Sequence, residues 1–215
     1  MSRRSYGQPC ALAAALDQVG DLWALLVVRE LLFGPRRFTE LAAGLPGVGS
    51  NTLTGRLKQL EADGVIARRW LPPPAASTVY ALTPRGQQLR PIVLALARWG
   101  APALAHTPFE HPVRANWLGI ALEAFYVPGT LAAMVAELDM PTGRLLVTVA
   151  DGALTVSEGE LVGPGIRVRA TEAAVLGALQ RPEALAALVE AGEIAVEGDG
   201  ERLLALLRAC PIPRG

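Results

Sequence analysis

Apolar residues recur along this chain with a helical period in some stretches and a strand period in others, and these changes predict its elements. Cys10 to Val19 is rich in alanine and leucine and reads as a helix. Leu22 to Leu32 is apolar on nearly every side, with Trp23, Leu26, Val27 and Glu30 marking its turns, so it is predicted to be a central, buried helix that ends at Gly34-Pro35. Leu41 and Leu45 give a short helix its inward face, closed by Gly44-Leu45-Pro46-Gly47. Ser50 is the expected N-cap of the next helix, in which Leu53, Leu57 and Leu60 recur at i, i+4 and i+7. The period then drops to two. Gly64 to Trp70 alternates, and Thr78 to Leu82 answers it across Leu71 to Ser77, which predicts a hairpin. Thr83 caps a further helix with Pro84 at its first position, and Leu89, Ile92, Val93, Leu96 and Trp99 run along one side of it.

The order helix, turn, helix and hairpin is a winged helix-turn-helix. Its second helix carries the sharpest pattern. Opposite the leucine stripe stand Asn51, Gly55, Lys58 and Ala62, flanked by Thr52, Thr54, Arg56 and Gln59, with no carboxylate until Glu61. A short, polar and cationic face of this kind suits the major groove of DNA. The residues predict base or near-base contacts from Asn51, Thr52 and Arg56 and phosphate contacts from Ser50 and Lys58, with Thr54 on the same DNA-binding face. Arg37 before the helix-turn-helix, and Arg68 and Arg69 on the hairpin, are predicted to approach phosphates; for the loop arginines simple solvation accounts equally well for the charge.

The segment Ala101 to Val113, APALAHTPFEHPV, holds three prolines and both histidines and reads as a boundary. The expected division is residues 1–100, a linker of 101–113, and a second domain of 114–215. In the second domain Asn116 to Tyr126 is predicted helical, and a further helix is expected over Thr130 to Leu138. Arg144 to Ala150 and Ala153 to Ser157 form a hairpin around Asp151-Gly152. A weak repeat follows at an offset of 28: Ile166 to Ala170 with Leu176 and Leu179 matches Ile194 to Gly198 with Leu204 and Leu207. Each copy is a strand running into an amphipathic helix, and the helix Pro182 to Ala191 lies between them. The fold class is therefore α+β, with a winged helix domain followed by helices on a small sheet.

Charge sharpens the division. Formal charges balance over the 215 residues, yet residues 1–105 hold twelve basic against six acidic side chains, so the second half carries the compensating negative excess. A basic half joined to an acidic half is what a DNA-binding domain fused to a non-binding one shows. With just over half the residues apolar, a packed, soluble protein is expected. Two cysteines make no disulfide framework, Ser2-Arg3-Arg4-Ser5 leads into no apolar run, and Leu22 to Val28 is too short to span a bilayer, so a cytoplasmic protein without membrane partners is the expectation.

The stretch Tyr6 to Gly100 resembles the HxlR-type family of bacterial transcription regulators. The resemblance rests on the cysteine near the start, GD-W-LLVVREL, FGPRRF-EL, S-N-L-RL--LE--G and Y-LT--G. One departure is that Pro9 precedes Cys10, whereas the family usually has the proline after the cysteine. The resemblance implies a winged helix that binds double-stranded DNA as a homodimer, joined through the first helix and the helix from Thr83 to Trp99, with recognition helices about one DNA turn, ~34 Å, apart. It also implies that Cys10 serves some members as a sensor of oxidants or electrophiles. Gly7-Gln8-Pro9 puts that cysteine near a helix N-terminus, where thiols are more reactive, but the residues favour a small buried hydrophobe. Over about Val113 to Arg208 the second half is similar to the sterol carrier protein-2 domain, chiefly in the strand and helix of IAVEGDGERLLALL. That likeness implies an apolar tunnel, with Trp117, Phe125, Met134 and Leu146 as candidates to line it; as residues at structural spacing they are core by default.

No catalytic constellation appears: there is no cysteine pair at metal spacing, no G-x-S-x-G, no phosphate-binding loop and no H-E-x-x-H. His106, Glu110 and His111 lack the spacing of a helical pair and a fourth ligand. No enzyme activity, cofactor or metal is expected. The leading expectation is a dimeric, sequence-specific DNA-binding transcription regulator responsive to an apolar small molecule held by the second domain. The alternative is a carrier of apolar molecules whose winged helix serves dimerisation.

Overall fold

The computed structural model describes residues 5–73, 76–104 and 110–213, which form two compact units divided between Val93 and Leu94. In the first unit, α1 (Ala11–Val19) and α2 (Ala24–Leu31) precede the helix-turn-helix pair α3 (Phe38–Gly44) and α4 (Ser50–Ala62). The strands β1 (Ile66–Leu71) and β2 (Ser77–Leu82) follow, then the short helix α5 (Pro84–Gln87), and the longer α6 (Arg90–Leu104) runs across the boundary into the second unit. Val27, Val28 and Leu31 of α2 meet Leu41 and Leu45 and the α4 leucines in one core, all essentially inaccessible to solvent. Each such leucine contributes roughly 1.5–3 kcal/mol by leaving water.

The first unit follows the predicted order, with three local differences. Helix α2 starts at Ala24 rather than Leu22, because Trp23 takes the left-handed conformation (φ +77°). The N-cap of α4 is Gly49, whose carbonyl accepts the Leu53 N–H at 2.9 Å, so Ser50 is the first helical residue rather than the cap. The helix expected to run from Thr83 is broken into α5 and α6 around Gln88-Leu89. Thr83 caps α5 as expected, accepting the Gly86 N–H at 3.1 Å. Gly86 lies so close to the Val65 carbonyl that a Cβ would stand 2.1 Å from its oxygen. Only glycine lets the helix after the hairpin rest on the turn that begins it.

The second unit is built on a five-stranded sheet of order β5-β4-β3-β6-β7: β3 (Met134–Met140), β4 (Gly143–Ala150), β5 (Ala153–Glu158), β6 (Ile166–Ala170) and β7 (Ile194–Glu197). Strands β3 and β6 are parallel and the other neighbours antiparallel. The helices are α7 (Ala115–Phe125), α8 (Glu172–Gln180), a short 3-10 turn at Pro182–Ala184 leading into α9 (Leu185–Glu190), and α10 (Gly200–Arg208). Asp151 and Gly152, both left-handed, make the β4–β5 turn. The two strand-then-helix copies are present as β6–α8 and β7–α10.

The helix expected over Thr130 to Leu138 is instead a turn and the central strand β3. Met, Ala, Glu and Leu favour a helix in isolation, but this segment pairs with a strand on each side, and that pairing overrides propensity. The register puts Met134, Ala136, Leu138 and Met140 on the same face as Leu145, Val147 and Val149, where the helices cover them. Leu146 therefore stands on the other face, among Asp139, Arg144 and Thr148, which is where period two must send it. There Arg144 pairs with Asp139 at 3.3 Å and with Glu160, and the hydrogen bond to Asp139 raises its pKa above the ordinary value. Among the described residues no single helix is long and apolar enough to cross a membrane.

Candidate nucleic-acid interface

Helix α4 buries Leu53, Leu57 and Leu60 and leaves Ser50, Asn51, Thr52, Thr54, Gly55 and Lys58 exposed. No side chain caps its first turn, so the N–H groups there remain for an outside acceptor, as at phosphate-binding helix ends. A Cβ on Gly55 would meet nothing within 4 Å, so the protein's own packing does not require glycine at this place. Its lack of a side chain lowers the exposed surface between Asn51 and Lys58.

Arg56 lies elsewhere than the sequence reading expects. It stands one residue before Leu57, about 60° from the centre of the buried stripe rather than opposite it. Its side chain is only 16% exposed and donates through Nη1 to Asp21, whose own side chain is 69% exposed. The five other predicted residues of the helix, Ser50, Asn51, Thr52, Thr54 and Lys58, are all exposed.

The hairpin places its arginines on opposite sides, since neighbours in a strand alternate. Arg68 lies across from Tyr80, its guanidinium 5.4 Å from the ring centroid and 3.4 Å from the Glu61 carboxylate. Arg69 is exposed across from Val79. Arg37, also exposed, is the N-cap of α3, and its Nε donates to Ser77 Oγ at 3.0 Å, tying the start of the helix-turn-helix to the hairpin. The backbone of Arg36 bridges Tyr80 in both directions (2.9 and 2.7 Å), which adds a third short strand segment to the wing. Sequence reasoning missed that segment, because a single bridged residue has no period.

The four residues expected to line a tunnel are not gathered around the cavity between the sheet and the helices. That cavity amounts to about 20 Å³, room for little more than one water, and it is lined by residues such as Leu122, Leu138, Val175 and Leu206. None of Trp117, Phe125, Met134 or Leu146 lines it. Met134 instead borders an open groove of about 570 Å³ at the strand ends, with Val149, Ile166, Pro164 and Arg202. Trp117 and Phe125 are half-buried on α7.

The two cysteines differ. Cys10 is exposed at the N-cap of α1, which corrects the expectation of a buried hydrophobe. Cys210 is buried, and burial pushes its thiol up to about 12. His106 lies outside the described residues; among those described, no group of three His, Cys, Asp or Glu is arranged to hold a metal.

The winged helix agrees with the protein's relatives. The HxlR-like helix-turn-helix profile matches residues 18–108. An uncharacterized HTH-type transcriptional regulator of Synechocystis is 38% identical over 104 residues, which are 48% of this chain and 77% of that protein. The chain belongs to the HxlR-like helix-turn-helix family. A second such regulator, YvaP of Bacillus subtilis, is 38% identical over 40% of this chain and 79% of its own. Among solved structures, the redox regulator HypR in its oxidized form is 33% identical over 42% of this chain and 94% of that one, with a TM-score of 0.40. Family membership makes this HxlR-like chain a DNA-binding transcription regulator, and its winged helix is the part that the relatives share.

Proposed function

We propose that this HxlR-like protein binds a specific DNA site as a homodimer, with α4 in the major groove. The observation that carries the reading is the open face of α4, where Asn51, Thr52, Thr54 and Lys58 surround a glycine while the leucines opposite are fully buried. Asn51 reads a base edge, Thr52 and Thr54 contact bases or the adjoining backbone, and Ser50 and Lys58 hold phosphates. Arg37, Arg68 and Arg69 flank this face and take further phosphates. The basic excess of residues 1–105 supplies the long-range attraction.

A second copy of the chain covers the apolar side chains that α1 and α6 leave in water. Leu12 and Leu16 on α1, and Ile92, Leu96 and Trp99 on α6, are exposed, with Trp99 at 83%. Burying such a set is worth several kcal/mol at roughly 1.5–3 kcal/mol per side chain. The second unit holds an apolar effector in the groove beside Met134, and its resemblance to the sterol carrier protein-2 domain is part of that reading. It alters DNA affinity only if the effector binds the two arrangements of the dimer unequally.

Selection of duplexes from a random pool, followed by binding at several salt concentrations, tests the function. A recovered consensus with two half-sites and a log K that falls steeply with log salt is the expected result. Failure to enrich any sequence, with salt-independent binding, would leave the carrier of apolar molecules as the better account.

A further inference from the structure

The corner between α1 and α2, residues Gly20 to Trp23, holds the DNA-facing helix at one point and comes close to the turn that precedes it. Asp21 accepts from Arg56 Nη1 in the second turn of α4. Trp23 reaches the turn before α4: a Cβ on Gly47 would stand 3.7 Å from the ring carbon Cη2 of Trp23. Trp23 holds a left-handed backbone (φ +77°), a conformation that a bulky residue keeps only where its surroundings demand it. Gly20 is equally constrained, since a Cβ there would meet the Leu16 carbonyl oxygen at 2.5 Å. The chain thus leaves α1 by a tight path that presents Asp21 to α4 and Trp23 to the α3–α4 turn.

We infer that Asp21 and Trp23 are positioning residues that set the tilt and roll of α4, and that Arg56 acts through this corner without touching a base. This rests on the DNA-binding reading above. An ion pair a turn and a half into the helix, with an indole close to the turn that precedes it, restrains both its axis and its rotation. The cation of the pair is the enclosed member and the acid the exposed one, so Arg56 is committed to the protein while Asp21 remains at the surface. Arg56 Nε is buried with no hydrogen-bond partner, which leaves the Asp21 contact at Nη1 to compensate for enclosing the guanidinium. Asn51 can make a bidentate contact with a base edge only while the helix keeps the angle this corner gives it.

The sign of one substitution decides the matter. Simple electrostatics has an exposed acid on a DNA-binding unit oppose the duplex, so removing it should tighten binding. A positioning role has the opposite consequence. Duplexes recovered by the wild-type protein from a random pool serve as the probe. Asp21→Asn should weaken binding about fivefold, the scale of a partly exposed ion pair, while the slope of log K against log salt stays unchanged. Arg56→Gln should weaken it similarly, recover the same consensus as the wild type, and add little when combined with Asp21→Asn. Equal or tighter binding by Asp21→Asn overturns the inference. So does loss of preference at one base position of each half-site in Arg56→Gln, which would make Arg56 a base reader held in reserve. If Arg56→Gln does not fold, Asp21→Asn at its exposed position decides alone. A wild-type protein that enriches no sequence removes the DNA-binding reading itself, and the inference with it, in an arm that involves neither variant.

Discussion

Helices α4 and α10 solve the same packing problem and end with opposite surfaces. Each buries three leucines: Leu53, Leu57 and Leu60 in one, Leu203, Leu206 and Leu207 in the other. Beyond that they diverge. The first turn of α10 is closed by its own protein, with Asp199 accepting the Arg202 N–H at 3.0 Å and Glu201 adding negative charge at the dipole's positive end. The first turn of α4 has neither a capping side chain nor an acid, and the face behind it is amide, hydroxyl and ammonium around a glycine. One helix is electrostatically complete. The other leaves donors and positive potential for something anionic to satisfy. Burial says where a helix sits, whereas an unsatisfied end and face say what it is for.

The largest effect should come from the stripes that the two helices share. Leu57→Ala and Leu206→Ala should each cost ~2–5 kcal/mol in the unit that contains them, seen as a lowered transition in calorimetry. Only Leu57→Ala should also weaken operator binding strongly. If Leu206→Ala weakens it as much, the two units do not divide their labour.

Next in size is the proposed dimer. Leu96→Glu should halve the mass seen by light scattering at micromolar concentration toward the 22.6 kDa of one chain, and with it remove binding to a two-half-site duplex. A dimer that survives both Leu96→Glu and Ile92→Glu would place the interface elsewhere.

The outward faces are then compared directly. Asn51→Ala should cost ~1–3 kcal/mol on the specific duplex and relax preference at one position. Lys58→Gln should weaken all sequences alike and lower the salt slope by about 1. Glu201→Gln on α10 should change neither, and a comparable loss there would erase the contrast between the helices.

The smallest effects concern the cysteines, one in each unit. In the native protein a thiol reagent should modify Cys10 and leave Cys210 untouched until unfolding, which mass spectrometry of the digested protein would distinguish. Because the folded protein raises the Cys210 pKa from its ordinary 9.0 to about 12, the stability from its neutral thiol is complete below pH 9 and lost as pH rises toward 12. By linkage this amounts to about 1 kcal/mol at pH 10. Cys210→Ala should remove that part of the alkaline limb of stability, and an unchanged limb would show that the thiol plays no part in it.

Much of this was legible in the residues. The α4 stripe, the Thr83 cap, the hairpin of the wing, the Asp151-Gly152 turn and the repeated strand–helix pairs all follow from local period and turn chemistry, which act within a few residues. The exposed set on α4 was legible too, except at Arg56. A wheel drawn in the sequence separates the two faces well at their centres and poorly at their borders, and Arg56 is a border residue. Apolar spacing did not show which side chains line the cavity between sheet and helices, because it specifies a core without specifying how that core is packed.

By itself, then, the sequence determined which segments must bury a face, where most turns fall, which half carries the positive charge, and through its motifs the family. Those properties depend on neighbours in the chain. Only the tertiary structure decided that Met134 to Met140 is a strand, that Leu146 faces away from the helices, that Arg56 belongs to Asp21 and that Cys10 lies in solvent. Each of these turns on partners from distant parts of the chain. Pairing between strands and the enclosure of a side chain are free-energy differences set by those partners, and no local period records them.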